Sequence, residues 1–202
     1  KNSDGLILSA AFSPDGKRIV TASDNGIAGV WDEASGVLLT NLQIDSTSVD
    51  SALFSPDGSQ IVTTSRYGQV QVWSSTLYSR IAIFDSRTYR VYPSAFSQDG
   101  KQFVTVSKSG AVQVRHCATG EVLAELSTET MPNSFDTAHF SADGSRIVAI
   151  SRAGEVTMWN AATKELIEDH FLMYEYDCIF VAFSRDSARA VTISGDGLAV
   201  LI

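Results

Sequence analysis

Apolar residues along this chain come in short alternating runs cut by turn residues, with no sustained helical period. Residues 10–32 show the order: an apolar run ending at Phe12, the turn Ser13-Pro14-Asp15-Gly16, the run RIVTAS, the turn Asp24-Asn25-Gly26, and the run IAGVW. Proline presets φ at the second position of a turn and glycine accepts positive φ near its end, so both connections read as tight. β-Branched residues fill the second run, as suits a strand covered on both faces. The third run alternates polar and apolar residues, most clearly in its counterparts QVQVW and EVTMW. A fourth apolar segment follows within residues 36–42, 79–84, 121–126 and 164–169. The pattern predicts four short antiparallel strands, near 6–12, 17–22, 27–32 and 37–42 in the first unit.

The unit repeats. Phe12, Phe54, Phe96, Phe140 and Phe183 recur at intervals of 42 to 44 residues. Ser23, Ser65, Ser107, Ser151 and Ser194 precede the second turn, and Gly26, Gly68, Gly110, Gly154 and Gly197 end it. A period of this length with four strands per unit signals a β-propeller, in which each blade buries its faces on its neighbours. The expected fold is all-β, with about five four-stranded blades over residues 1–42, 43–84, 85–126, 127–169 and 170–202, the last incomplete.

Trp31-Asp32, followed by EASG, resembles the ending of a WD-repeat, and AFSPDGKRIVTAS resembles its opening half. The resemblance runs along essentially the whole chain: Trp73 and Trp159 recur, with Arg115 and Ile202 in the equivalent places. The closely spaced FSPDG units resemble bacterial-type WD-repeat regions appended to signalling kinases or NTPases. The resemblance implies a propeller, usually of seven blades, that acts as a binding platform and not as a catalyst. Seven blades at roughly 42 residues each need about 290 residues. The 202 residues are therefore expected to be part of a larger propeller, or an array whose ring is completed by further blades or other chains.

Blades of this family often carry an Asp-His-Ser/Thr-Trp hydrogen-bond network. Here the Asp position holds Asn25, Tyr67, Ser109 and Ala153, and only Asp196 conforms, while the expected His place before the first strand holds Ser3, Asp45, Arg87, Met131 and Tyr174. The networks are expected to be mostly absent, at a loss of about 1 kcal/mol per net hydrogen bond. Stacking between blades then carries more of the stability.

Composition narrows the function. A formal net charge of −8 argues against a general nucleic-acid binder, which needs a basic footprint. No apolar run approaches the roughly 20 residues of a membrane span. Cys117 and Cys178 lack metal-type spacing and read as free thiols of a reducing, cytoplasmic compartment. His116, His139 and His170 fall at different phases of the repeat, so no shared metal site is expected. Neither a nucleophile elbow nor a phosphate loop nor a dinucleotide fingerprint occurs, and the Asp-Gly pairs read as turns instead of calcium loops. No catalytic residue, cofactor or metal is expected.

One constellation points to a partner. The residue after each repeated Ser is Asp24, Arg66, Lys108, Arg152 and Gly195. Three consecutive blades thus present Arg66, Lys108 and Arg152 on one face of an acidic protein. Exposed turn tips are commonly charged, which is the plain reading; the alternative is a site for an acidic peptide or other anion. Residues 170–177, HFLMYEYD, bring Tyr174 and Tyr176 into a connection whose counterpart is polar. They suit either a partner contact or extra packing against the next blade. Residues 84–92 place Arg87, Arg90 and Tyr92 near the same face. The leading expectation is a protein-interaction scaffold or sensor. Its alternatives are an accessory propeller of a signalling enzyme or peptidase, and a purely structural repeat array.

Overall fold

A computed structural model describes residues 5–44, 48–85, 95–107, 109–128, 135–141, 143–151, 155–170, 178–183, 190–194 and 199–201. All regular elements among them are β-strands. The first sheet orders β1 (Ile7–Phe12), β2 (Arg18–Ser23), β3 (Ile27–Asp32) and β4 (Leu38–Gln43) as an antiparallel meander. The second repeats it with β5 (Val49–Phe54), β6 (Gln60–Ser65), β7 (Gln69–Ser74) and β8 (Arg80–Asp85). The third holds β9 (Gln102–Val106), β10 (Val112–His116) and β11 (Val122–Leu126). Among the described residues its inner position shows one bridge, from Phe96 to Phe103, and residues 86–94 lie outside them. The fourth is complete: β12 (Phe135–Phe140), β13 (Arg146–Ser151), β14 (Val156–Asn160) and β15 (Leu166–His170). The fifth has β16 (Cys178–Phe183), β17 (Ala190–Ser194) and β18 (Ala199–Leu201).

Register gives each sheet two distinct faces. Directly paired residues point the same way, so Phe12, Ile19 and Trp31 form one row and Val20 and Val30 another on the opposite face. The same rows recur as Phe54, Ile61 and Trp73, and as Phe140, Ile147 and Trp159. A register shift ahead of each Trp, between Val30 and Trp31 for example, adds a bulge that strengthens the strand twist.

These faces build the core. Val20, Ala22, Ala28, Val30 and Leu42 of the first sheet bury against Ala52, Phe54, Ile61 and Trp73 of the second. Val62, Val70 and Val72 turn the other way and continue into a cluster with Phe96 and Phe103, which runs on through Val112 and Val114 to Phe140 and Trp159. Burial is therefore made between sheets, as expected for stacked repeats.

The turns interlock as well. In the first turn of each of the first four sheets a Ser hydroxyl donates to the Asp two residues on, at 2.5 Å for Ser13–Asp15 and 2.6 Å for Ser55–Asp57, Ser97–Asp99 and Ser141–Asp143. The hydroxyl hydrogen bond, followed by a backbone N–H, holds the Asp15 and Asp99 carboxyls below the usual range. Neighbouring turns touch: a Cβ on Gly58 would stand 3.5 Å from Pro14, one on Gly100 3.1 Å from Asp57, and one on Gly144 3.3 Å from Gln98.

Candidate partner-binding rim

In the second, third and fourth sheets the turn between second and third strands is closed from inside by its repeated Ser. The Ser65 hydroxyl accepts the Gln69 N–H at 3.2 Å, Ser107 accepts Ala111 at 3.2 Å, and Ser151 accepts Glu155 at 3.2 Å. With the Ser turned inward, the residue after it is forced to the tip. Asp24 and Arg66 accordingly are exposed. The tip lies beside the start of the first strand, where the Leu6 N–H donates to the Asp24 carboxylate at 2.8 Å and the Asp24 N–H to the Leu6 carbonyl at 3.1 Å. The opposite rim holds the Ser-Asp turns, tied to the turns after the third strands by bonds such as Ser75 N–H to the Ser59 carbonyl at 3.0 Å.

Of the three cations in the expected arc, Arg66 is exposed at the β6–β7 tip, while Lys108 and Arg152 lie outside the described residues. Arg87, Arg90, Tyr92, Tyr174, Tyr176 and Asp196 lie outside them too. Beside Arg66 stands Tyr67, 71% exposed, which the sequence reading took only as a missing network member. Its signal was available: an aromatic ring at a turn tip, with no inward role left for it.

The tryptophans find a partner that the sequence reading did not name. Trp31 donates its indole N–H to the Thr21 hydroxyl at 2.9 Å, and Trp73 donates to Thr63 at 3.1 Å. Thr21 lies two residues before Ser23, on the same strand face as Trp31. A Thr of the adjacent strand, two residues before the repeated Ser, supplies the acceptor. The recurrence of Thr21, Thr63 and Thr105 at one repeat position was the readable clue. Trp159, fully buried, instead packs edge-on to Phe135 with ring centroids 5.6 Å apart.

Turns ending in the same Ser-x-x-Gly frame, with Trp closing the third strand, are what the family comparison matches. The WD domain, G-beta repeat, fits residues 1–32 and again 36–74. Residues 1–32 and 36–74 are WD repeats. Each match ends at the close of a third strand, at Asp32 and Ser74, so one WD repeat spans the fourth strand of one sheet and the first three of the next. No curated protein matches the chain. WD repeats generally mediate protein–protein interaction or scaffolding, and are typically non-catalytic.

Of the remaining chemistry-bearing residues, His116, His139 and Cys117 are held in structural roles. His116 is half-buried, and its Nδ1 accepts the Ala118 N–H at 3.2 Å. His139 is buried in β12, and loss of solvation pulls its pKa down to about 4. His170 falls within β15 and not after a fourth strand, because pairing with Val156 extends that strand by one residue beyond expectation. Cys117 begins the turn after β10, so strand alternation does not govern its relation to His116. Burial, then the charges of Asp57 and Asp99, push its thiol up to about 12, which keeps it protonated and unreactive. Among the described residues no group of three or more His, Cys, Asp or Glu is placed to hold a metal.

Proposed function

We propose that the chain is a non-catalytic interaction module, a scaffold or sensor of the cytoplasm, that engages an acidic peptide segment along the rim of its second-to-third strand turns. The observation that carries this reading is Arg66 and Tyr67 standing exposed together at one tip. A cation beside an exposed aromatic suits a peptide carboxylate or phosphate flanked by apolar atoms. Lys108 and Arg152 hold the sequence position of Arg66 in the next two repeats. On a protein of net charge −8, a local basic arc selects acidic partners against the overall repulsion. Further blades or other chains that complete the array would lengthen this rim without altering its chemistry.

Fluorescence anisotropy with a labelled Glu-rich decapeptide and its phosphoserine counterpart tests the reading. Binding should weaken steeply with salt, and R66E/K108E/R152E should abolish it while the thermal midpoint hardly moves. Salt-independent binding, or an equal loss of stability in the triple variant, would count against the arc.

A further inference from the structure

The outer strand of each of the first four sheets slips once in its register. Val30 pairs with Thr40 and Trp31 with Leu38, so Leu39 is an extra residue in β4, and Ile81, Leu123 and Ile167 are extra in β8, β11 and β15 by the same pattern. A bulge re-aims the side chain it carries. All four extra residues are aliphatic and are 46%, 38%, 46% and 48% exposed, whereas Leu42 and Leu126 of the same strands turn into the core. Single exposed aliphatics are ordinary, but one at the same bulge of four consecutive sheets is a repeated feature of the outer edge. The bulges also break the row of backbone groups that a further strand would need, so this edge offers side chains and not a ladder.

The four positions differ in the charge beside them. Glu121 precedes Val122 and Leu123, and Glu165 precedes Leu166 and Ile167, with all six exposed. Two cations beside these strands are turned inward. Arg115 donates to the Gly120 carbonyl and to Gln113, and the Lys164 ammonium to the Ala161 carbonyl and, at 3.3 Å, to Gln102 Oε1. In the first two sheets the places of the Glu and the next residue hold Val37-Leu38 and Ser79-Arg80, which are neutral or basic.

We infer that the outer strands of the third and fourth sheets dock a partner segment in which lysine or arginine alternates with aliphatic residues. Val122 and Leu123, and Leu166 and Ile167, meet its aliphatic side chains, while Glu121 and Glu165 meet its cations. Charge complementarity names the occupant: an aliphatic pair alone accepts any apolar partner, but the carboxylate beside it turns away acidic ones. Arg80 turns away the same basic segment from the second sheet. The contact does not rest on the basic rim, to which it is opposite in charge.

Fluorescence anisotropy of the 202-residue chain with a labelled decapeptide of alternating lysine and leucine tests this. The peptide should bind, and counterparts with serine for leucine or glutamate for lysine should bind at least about tenfold more weakly. L123S/I167S and, separately, E121Q/E165Q should each weaken binding by about tenfold, the second also flattening its salt dependence. L39S, on an outer strand with no carboxylate at the matching place, should leave binding unchanged, and circular dichroism should match the wild type in every variant. Should L123S/I167S fail to fold, E121Q/E165Q carries the test alone. No binding of the lysine–leucine peptide, equal binding of its serine counterpart, full affinity in E121Q/E165Q, or an equal loss in L39S would each overturn the docking surface.

Discussion

The Arg115 guanidinium carbon lies 3.8 Å from the centre of the Phe84 ring, at the place where three other sheets carry Trp31, Trp73 and Trp159. Its Nη1 donates to the Gly120 carbonyl at 2.8 Å and Nη2 to Gln113 Oε1 at 2.5 Å, but its Nε is unpartnered. Thr105, whose counterparts Thr21 and Thr63 accept an indole N–H, likewise has no partner for its hydroxyl. Register puts Leu42 and Leu126 in the position of Phe84. Leucine therefore accompanies tryptophan across a junction, and phenylalanine accompanies the flat, thin arginine.

This pairing makes a reciprocal prediction. R115W alone overfills the space beside Phe84, and F84L alone opens a gap and removes the cation–π contact, each costing about 1–3 kcal/mol. The double variant should recover most of that, with a coupling energy of at least about 1 kcal/mol in urea denaturation. Additive losses would show that the two residues do not share one space.

Two equivalent threonines should differ in importance. Trp73 is buried and Trp31 only half-buried. T63V strands a buried indole N–H and should cost about 1–3 kcal/mol. T21V should cost less than about 1 kcal/mol, because water can replace the lost acceptor at a half-exposed indole. Equal shifts in thermal midpoint would contradict the assignment.

Gly36, Tyr78, Gly120 and Lys164 all hold positive φ at one turn position, between 54° and 70°. Only at Gly120 would a side chain overlap a neighbour, the Ala82 methyl of the preceding sheet. G36A, in open space, should cost about 1–2 kcal/mol from its backbone alone. G120A should cost distinctly more, and G120A/A82G should recover the excess but not the backbone term.

Acid should reveal His139. Its folded pKa of about 4 lies below the ordinary 6.5, so its contribution is intact above pH 6.5 and is lost as pH falls toward 4, because the unfolded chain takes a proton the folded one refuses. The integrated effect is about 3 kcal/mol at most, at 1.36 kcal/mol per unit. H139L, which installs the residue of the matching position Leu53, should flatten stability across that window. The lowered carboxyls Asp15, Asp57 and Asp99 act in a separate window, below their ordinary 3.8. An unchanged pH profile in H139L would refute the assignment.

Strand positions were legible because alternation and turn chemistry are local: β2 was expected at 17–22 and lies at Arg18–Ser23. The exposure of Arg66 followed from the same turn geometry. What escaped the sequence depends on stacking. Arg115 and Phe84 are far apart in the chain and meet only because one sheet seats on another. The Thr21–Trp31 bond needed the cross-strand register, which places Thr21 rather than Ser23 beside the indole. Tyr67 was overlooked because a family expectation had assigned its position an inward role.

The turn contacts of Pro14 on Gly58, Asp57 on Gly100 and Gln98 on Gly144 carry a consequence for how such a chain can grow. The second and third turns each bring both a ledge and a notch, so a unit of that kind inserted between two others arrives with its fit on either side already made. Phe12 and Phe54 are 42 residues apart, and a duplication of that length would preserve each contact it interrupts. Pro14 and Gln98 make the ledge from one repeat position and Asp57 from the next, so the same notch is met in two ways. Lengthening by whole units therefore demands no new interface, only another copy of an old one.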